Sequence, residues 1–255
     1  MKFLPTTKEE MKNLGWDSID VLLISGDTYL DTSYNGSALV GKWLVEHGFK
    51  VGIIAQPEVD VPDDITRLGE PNLFFAVSGG CVDSMVANYT ATKKRRQQDD
   101  FTPGGENNKR PDRAVLVYSN MIRRFFKGTT KKIVISGIES SLRRITHYDY
   151  WTNKLRKPIL FDAKADILSY GMGEMSMLQL ANALKNREDW QNIRGLCYLS
   201  KEPKEDYLAL PSHAECLADK DKFIKAFHSF YLNCDPITAK GLCQKCDDRY
   251  LIQNP

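Results

Sequence analysis

The sequence has few cysteines, no long apolar run and no excess of one charge. Six cysteines are scattered over 255 residues, and this irregular spacing does not match the framework of a disulfide-rich secreted domain, so it indicates a reducing compartment. No stretch approaches the roughly 20 apolar residues that span a bilayer, and residues 1–14 lack the layout of a signal peptide. We therefore expect a cytoplasmic protein with no membrane partner.

The charges are nearly balanced, with 35 Lys plus Arg against 33 Asp plus Glu. This balance gives no overall attraction to nucleic acid. A basic run at residues 93–96 lies within a polar stretch, 90–112, but it is short, adjoins Asp99 and Asp100, and has no interleaved aromatics. A solvated loop is therefore favoured over a nucleic-acid site. No glycine-rich phosphate motif follows a strand, which disfavours a dinucleotide or P-loop site.

Short apolar runs alternate with helical patterns along the first 200 residues. Such runs are typical of strands buried on both faces, and their alternation with helices predicts right-handed crossovers around a parallel sheet. The sequence thus predicts an α/β fold with a mainly parallel, doubly wound, flavodoxin-like sheet and helices on both faces. The predicted strands are 20–25, 51–55, 73–78, 132–136, 165–170 and 195–199, and the predicted helices include 8–14, 37–47 and 114–126.

The rhythm stops after residue 199. A helix over 219–231 is predicted to bury its aromatic side chains, and an irregular stretch is predicted to follow it. We accordingly expect an α/β domain over residues 1–200 and a helical and irregular linker over residues 201–255. The aromatic residues of the helix are Phe223, Phe227, Phe230 and Tyr231.

The tail also contains one C-x-x-C, formed by Cys243 and Cys246. A single C-x-x-C is half of a zinc or redox signature, and Cys234 and His228 stand at no standard spacing from it. An incidental pair is therefore favoured over a metal site.

The exits of the predicted strands are the first place to look for a site, because ligands of an open α/β sheet bind beyond the carboxyl ends of its strands. Glycine follows four of these exits, where it permits unusual dihedrals or close approach of a ligand, although a tight turn alone also explains each glycine. The candidates at these exits are Ser78, Gly79, Gly80, Asp83, Gly137, Gly171 and Glu174.

Asp27, Tyr29 and Asp31 follow the first strand, where doubly wound folds face a bound cofactor. The two carboxylates are suited to act as acid and base. The alternative is that they cap turns in a polar loop.

The densest group of polar residues spans 136–151. A helix start with hydroxyls and nearby arginines suits a phosphate or carboxylate. In the alternative, structural interpretation, the arginines pair with acidic neighbours and the aromatic side chains pack at the sheet edge. The candidates here are Glu139, Ser141, Arg143, Arg144, His147, Tyr148 and Asp149.

Several strings in the chain together resemble the N-terminal region of the YgiQ family of radical SAM proteins. The resemblance runs from about Phe3 to Leu199 and weakens in the tail. The strings are Gly26-Asp27-x-Tyr29-x-Asp31, Val77-Ser78-Gly79-Gly80-x-x-Asp83-Ser84-Met85-Val86-x-Asn88-Tyr89-Thr90, Thr102-Pro103-Gly104-Gly105, Lys109-Arg110-Pro111-Asp112-Arg113, Gly137-Ile138-Glu139-x-Ser141-Leu142-Arg143-Arg144, His147-Tyr148-Asp149-Tyr150-Trp151 and Asp162-Ala163-Lys164-Ala165-Asp166.

The resemblance implies a two-part polypeptide. An α/β domain similar in outline to cobalamin-binding domains precedes a radical SAM core, whose C-x-x-x-C-x-x-C holds a [4Fe-4S] cluster with one iron left for S-adenosylmethionine. In this sequence Ala239 stands where the first of those cysteines would precede Cys243. The D-x-H-x-x-G that would supply a cobalamin ligand is also missing, because Thr28 and Tyr29 follow Asp27, so cobalamin has no support from a motif.

We therefore expect no cofactor in this chain and no activity from it alone. The cluster and S-adenosylmethionine are expected in the full-length protein, with the radical SAM core as partner in the same polypeptide. The favoured role is a module that docks on that core and shapes its substrate pocket, for a substrate that the sequence does not name. The alternative is a stand-alone, non-catalytic module that binds a corrinoid or another anionic ligand.

Overall fold

The computed structural model describes residues 3–30, 35–235 and 237–255. Within these ranges, nine strands form one sheet and two short strands form a separate hairpin. The strands are β1 Val21–Ser25, β2 Val51–Ala55, β3 Phe74–Ser78, β4 Lys132–Ser136, β5 His147–Asp149, β6 Lys154–Arg156, β7 Ile167–Ser169, β8 Leu196–Ser200, β9 Leu208–Leu210, β10 Leu242–Cys246 and β11 Arg249–Gln253. The helices are α1 Lys8–Asn13, α2 Gly36–Glu46, α3 Pro62–Thr66, α4 Ser84–Asn88, α5 Ala114–Phe125, α6 Gly137–Ser141, α7 Ile159–Ala163, α8 Gly173–Asn186, α9 His213–Ala218 and α10 Lys220–Tyr231.

The order of strands in the large sheet is β2-β1-β3-β4-β7-β8-β11-β10-β9. The five strands from β2 to β7 are parallel, while β8, β11 and β10 pair antiparallel. The predicted mainly parallel α/β fold is thus confirmed. Because β2 and β3 lie on opposite sides of β1, the strand order reverses between β1 and β3. Open α/β sheets bind ligands at such a switch point.

The parallel part of the sheet is covered on both faces, as its largely apolar strands require. Along β1, Val21 and Leu23 belong to one buried cluster, which includes residues of α2 and α8. Leu22 and Ile24 belong to the other cluster, which includes residues of α3 and α5. The alternation follows from the two-residue period of a strand, and it places α2 and α8 together on one face.

Helix α10 lies where the sequence predicts it, but half of its aromatic stripe is not buried. Phe223 and Phe230 are half-buried, whereas Phe227 and Tyr231 are 55% and 66% exposed. The prediction for these two residues is wrong because no described part of the chain covers that side of the helix.

The prediction of an irregular stretch after α10 is also wrong. Strands β10 and β11 form a hairpin through a two-residue turn in which Asp247 has a φ of 54°, and β11 pairs with β8. The sheet therefore continues past the predicted boundary at residue 200. The C-x-x-C lies on β10, so Cys243 and Cys246 are three residues apart in a strand and point to opposite faces.

None of the helices in the described ranges is both long enough and apolar enough to cross a membrane.

Candidate functional site

A cavity of about 360 Å³ opens at the carboxyl ends of β1, β3, β4 and β7. The first turns of α2 and α8 form its sides, so it lies on the face that these helices cover and includes the switch point between β1 and β3. Its volume suits a small ligand or part of a larger one. The predicted site residues that line it are Asp27, Ser78, Gly80, Gly137, Gly171 and Glu174.

Four serines form the floor of the cavity, one at the end of each strand. Ser25, Ser78 and Ser136 are in register across β1, β3 and β4, and Ser169 ends β7. Hydroxyls both donate and accept hydrogen bonds, so this row offers polar contacts below apolar walls. Only Ser78 is a candidate from the sequence. The missed signal is the Ser-Gly pair that recurs at the ends of β1, β3 and β4.

Asp27 is buried at one end of this floor. Its Oδ1 accepts a hydrogen bond from Arg110 Nη2 at 2.5 Å, and its Oδ2 accepts one from the backbone N–H of Cys81 at 2.6 Å. Burial raises the pKa of Asp27, against the lowering effects of the Cys81 N–H and of the Arg110 charge. The carboxylate is thus held in place by fixed donors rather than by solvent.

Arg110 comes from the polar stretch 90–112, of which the sequence predicts the basic run at residues 93–96 to be a solvated loop. Its side chain is fully buried, and it also pairs with Asp99 at 3.4 Å and donates from Nε to Gly26 O at 2.9 Å. A buried guanidinium between two carboxylates binds the loop to the base of the cavity. The sequence carries no local signal for this role, because Arg110 lies 83 residues from Asp27.

Cys81 lines the cavity beside Asp27. Burial, together with the Asp27 charge, raises the pKa of its thiol to about 12. A nucleophilic cysteine needs a thiolate. Cys81 therefore presents a neutral thiol to the cavity at neutral pH.

The glycines after β3 are required by the carboxylates packed against them. Gly80 has a φ of 113°, and a Cβ there would overlap Asp27 Oδ1. A Cβ on Gly79 would lie 2.5 Å from Glu139 Oε2. At this exit a side chain of the protein approaches each glycine closely. The approaching groups are the carboxylates of Asp27 and Glu139 and not a ligand.

Glu139 is buried below the cavity and serves two helix starts. Its Oε2 accepts a hydrogen bond from Ser84 N at 3.0 Å, and its Oε1 accepts one from Val115 N at 3.1 Å. Helix N-termini leave such N–H groups without partners inside the helix. Burial raises the pKa of Glu139, and the Asp83 charge adds to the rise. Glu139 therefore supports α4 and α5 and does not line the cavity.

The two arginines of the predicted anion site point elsewhere. Arg143 pairs with Asp83. Arg144 lies between the rings of Tyr170 and Phe230, at 4.5 Å and 4.2 Å from their centroids. Ser141 accepts a hydrogen bond from Arg144 through its backbone carbonyl. The alternative in which the arginines pair with acidic neighbours therefore agrees with the geometry at Arg143, whereas Arg144 packs on aromatic rings and forms no ion pair with a described residue.

The remaining candidates of this segment lie on the β5–β6 hairpin, away from the cavity. Asp149 accepts a hydrogen bond from Arg113 at 2.7 Å. Burial lowers the pKa of His147 to about 4, so this imidazole is neutral at physiological pH. Tyr148 is exposed and donates to Asn153 at 2.7 Å. None of the three lines the cavity.

Of the candidates after the first strand, Tyr29 contacts the N-terminal segment and does not line the cavity. The Tyr29 hydroxyl accepts a hydrogen bond from Leu4 N at 2.9 Å and so fastens the N-terminal segment. Asp31 lies outside the described residues. Of the described members of this group, Asp27 lines the cavity, and the pairing of Asp27 with Asp31 as acid and base stays a prediction.

The rim of the cavity is apolar and exposed. Leu39, Ile138 and Met172 line the cavity and project to solvent, with Met172 83% exposed. Contiguous exposed apolar side chains around a pocket mark an interaction surface. No lysine or arginine occurs among the described residues that line the cavity.

The fold and the site thus define the class of protein. It is an α/β domain with a small cavity at its switch point and an apolar rim around that cavity. The family model described as Radical SAM N-terminal matches residues 3–255. The chain belongs to this family, which confirms the radical SAM resemblance of its sequence strings.

The relatives are UPF0313 proteins of bacteria and archaea. One from Fusobacterium nucleatum is 95% identical over 255 residues, covering 100% of this chain and 45% of that protein. One from Thermotoga neapolitana is 50% identical over 99% of this chain and 45% of its own length. One from Methanocaldococcus jannaschii is 47% identical over 99% of this chain and 42% of its own length. The chain therefore spans less than half the length of these relatives.

Among solved structures, the radical S-adenosylmethionine methyltransferase TsrM from Kitasatospora setae, with cobalamin and a [4Fe-4S] cluster bound, is similar to 71% of this chain. The similarity covers 27% of that chain, with 17% identity and a TM-score of 0.46.

No group of three His, Cys, Asp or Glu side chains within the described residues is arranged to hold a metal ion. The two thiols of the C-x-x-C are buried on opposite faces of β10, so they cannot bind one metal together.

Proposed function

We propose that this chain is the N-terminal module of a radical SAM, [4Fe-4S]-dependent protein, and that it docks on the radical SAM core and shapes its substrate pocket. The observation that carries the proposal is the cavity at the switch point with its exposed apolar rim. Leu39, Ile138 and Met172 come from three different elements and surround one opening. Such a rim loses contact with water when another domain covers it, which favours docking.

The position of Pro255 supports the same arrangement. Gly195 N donates to Pro255 O at 3.1 Å, and Gly195 O accepts from Tyr170 N at 3.0 Å. Pro255 thus lies at the edge of the sheet where β7 ends, next to the loop that contributes Gly171 and Met172 to the cavity. In a longer relative, residues after this position would start beside the cavity.

In this arrangement the residues of this chain form one wall of the substrate pocket and partly shield the pocket from water. The serine row and Asp27 offer hydrogen-bonding groups, and Leu39, Ile138 and Met172 exclude water around them. The cluster and S-adenosylmethionine belong to the core and supply the radical chemistry. The substrate pocket would form where the cavity faces that core.

A stand-alone module for an anionic ligand has no comparable support. Its expected anchors, Arg143 and Arg144, are engaged by Asp83 and by Tyr170 and Phe230. The cavity itself presents Asp27 and Glu174 and no basic side chain among its described lining residues, which disfavours an anion.

Hydrogen exchange of the 255-residue chain and of the full-length Fusobacterium nucleatum relative tests the docking. Segments around residues 38–40, 137–139 and 171–174 should exchange more slowly in the full-length protein. A Met172→Asp variant of the full-length protein should lose part of this protection, whereas Val86→Asp, at an exposed position on α4, should keep it. Equal exchange in the two proteins would contradict docking at the cavity.

Iron content provides a second measurement. After anaerobic reconstitution, the full-length relative should show a [4Fe-4S] absorption spectrum and reductive cleavage of S-adenosylmethionine. The 255-residue chain should show neither. A cluster bound stoichiometrically by the 255-residue chain would refute the proposed division of roles.

A further inference from the structure

Helix α10 has an apolar arc that is wider than the surface it covers. On a helix with 3.6 residues per turn, the apolar side chains from Phe223 to Tyr231 fall within an arc of about 160°. The inner part of this arc, with Phe223, Ala226 and Phe230, packs against the domain. The outer part, with Ile224, Phe227 and Tyr231, is exposed.

The outer residues form one continuous surface. Ile224, Phe227 and Tyr231 are spaced i, i+3 and i+7, so they lie on one side of the helix. The rings of Phe227 and Tyr231 stack on each other with centroids 6.4 Å apart. We call Ile224, Phe227 and Tyr231 the α10 face.

An exposed apolar helix face of this kind is unusual in a domain that contacts no other domain. The polar side of the same helix carries Lys222, Lys225 and Ser229, as expected for a solvated surface. The side opposite to them should therefore be buried throughout. The described part of the chain contains no element that covers the outer half.

We infer that the α10 face docks on the part of the longer polypeptide that lies outside residues 1–255, and so forms a second contact with the radical SAM core. This inference rests on the proposed function. Relatives are more than twice as long as this chain, which covers 45% of the Fusobacterium nucleatum protein. A large partner region is therefore present in the same molecule.

The size of the α10 face favours a tethered partner. Three side chains that are each a little over half exposed offer roughly 400 Å². A stable complex between separate proteins buries about 800 Å² on each partner. A small apolar contact is sufficient when the partner belongs to the same polypeptide, because the tether gives it a high effective concentration.

The position of α10 also favours this partner. Phe230, at the inner side of the helix, packs on the Arg144 guanidinium, and Tyr170 packs on its other side. Tyr170 directly follows β7 and precedes the cavity loop with Gly171 and Met172. The C-terminal half of α10 is therefore connected to the strand-exit edge through a single side chain.

The test uses the full-length Fusobacterium nucleatum relative with Phe227→Ser and Tyr231→Ser at the aligned positions. In the unaltered full-length protein, amides of residues 223–232 should exchange at least tenfold more slowly than in the 255-residue chain. The double variant should lose this difference. Lys225→Ser, on the polar side of the same helix, should keep it.

Two further measurements exclude a merely structural effect. In the 255-residue chain the double variant should unfold at the same temperature as the parent, because the α10 face is already exposed there. Sedimentation of the 255-residue chain should show a monomer that does not bind vesicles of mixed neutral and anionic lipids. A dimer, or vesicle binding, that the double variant abolishes would overturn the inference in favour of a second copy or a lipid surface.

The outcome is distinguishable from failure of the proposed function. Protection at the cavity rim without protection of the α10 face would refute this inference and leave docking at the cavity standing. Absence of both would refute both.

Discussion

The guanidinium of Arg110 and the carboxylate of Asp27 form a buried ion pair, with Nη2 and Oδ1 at 2.5 Å, directly behind the strand-exit cavity. Asp99 lies on the same guanidinium at 3.4 Å. One buried cation thus pairs with two buried carboxylates. Because the pair joins the loop after α4 to the end of β1, the shape of the cavity depends on it.

Replacing Arg110 by methionine should destabilise the protein by about 3–5 kcal/mol, because Asp27 and Asp99 would remain buried without their cation. Part of the loss should be recovered at low pH, where the Asp27 carboxyl, whose pKa burial raises, becomes neutral. Urea unfolding at pH 7 and at pH 5 measures both effects. Arg124→Met, which removes an exposed pair with Asp60, should cost less than about 1 kcal/mol. Similar losses in the two variants would contradict the role of Arg110.

At low pH, where Glu139 is neutral, Glu139→Gln should cost about 1–3 kcal/mol, because the amide nitrogen cannot accept from the N–H of Ser84 or Val115 as a carboxyl oxygen does. Burial raises the pKa of Glu139. A raised carboxyl pKa stabilises the fold below the unfolded value and loses this contribution as pH rises through the folded pKa. The stability advantage of the parent over the variant should therefore shrink as pH increases. An advantage that grows with pH would refute this assignment.

The predicted and observed structures agree where the signal is local. The strands β1 to β4 are apolar along most of their length and are followed by polar or glycine residues, so their position and burial follow from a window of a few residues. The fold class follows from their alternation with helices. The first helix is equally local, because the Thr7 and Glu10 capping box is visible in the sequence and present in the structure.

The parts of the site that could not be predicted depend on contacts distant in sequence. From the sequence, Arg110 is expected at the surface, because its partner Asp27 is 83 residues away along the chain. Only the folded structure brings the two residues together. Likewise, Arg143 and Arg144 beside hydroxyls at a helix start are typical of an anion site, and only the packing shows that Asp83 and two rings engage them. The sequence indicates which residues are polar, and the packing decides which of them face the cavity.

His147 should titrate well below a free histidine. Burial lowers its pKa to about 4, so between pH 6.5 and 4 the unfolded chain binds a proton that the folded chain does not. The stability contributed by the neutral ring is therefore lost as pH falls through this window. His147→Gln should make the stability of the protein less sensitive to pH there. NMR titration of the ring provides the direct measurement, and a midpoint near 6.5 would contradict the burial effect.

Gly80→Ala should be much more damaging than Gly128→Ala, although both glycines have positive φ values, of 113° and 79°. At Gly128 a Cβ meets no atom within 4 Å, so the cost is the backbone strain alone, about 1 kcal/mol. At Gly80 the Cβ overlaps Asp27 Oδ1, which Arg110 holds in place, so the carboxylate must move and weaken a buried ion pair. We expect an additional loss of at least about 2 kcal/mol, measured by thermal and urea unfolding. Combining Gly80→Ala with Arg110→Met checks the mechanism, since the two losses should sum to clearly more than the double variant shows. Fully additive losses would mean that the Cβ acts on the turn and not through Asp27.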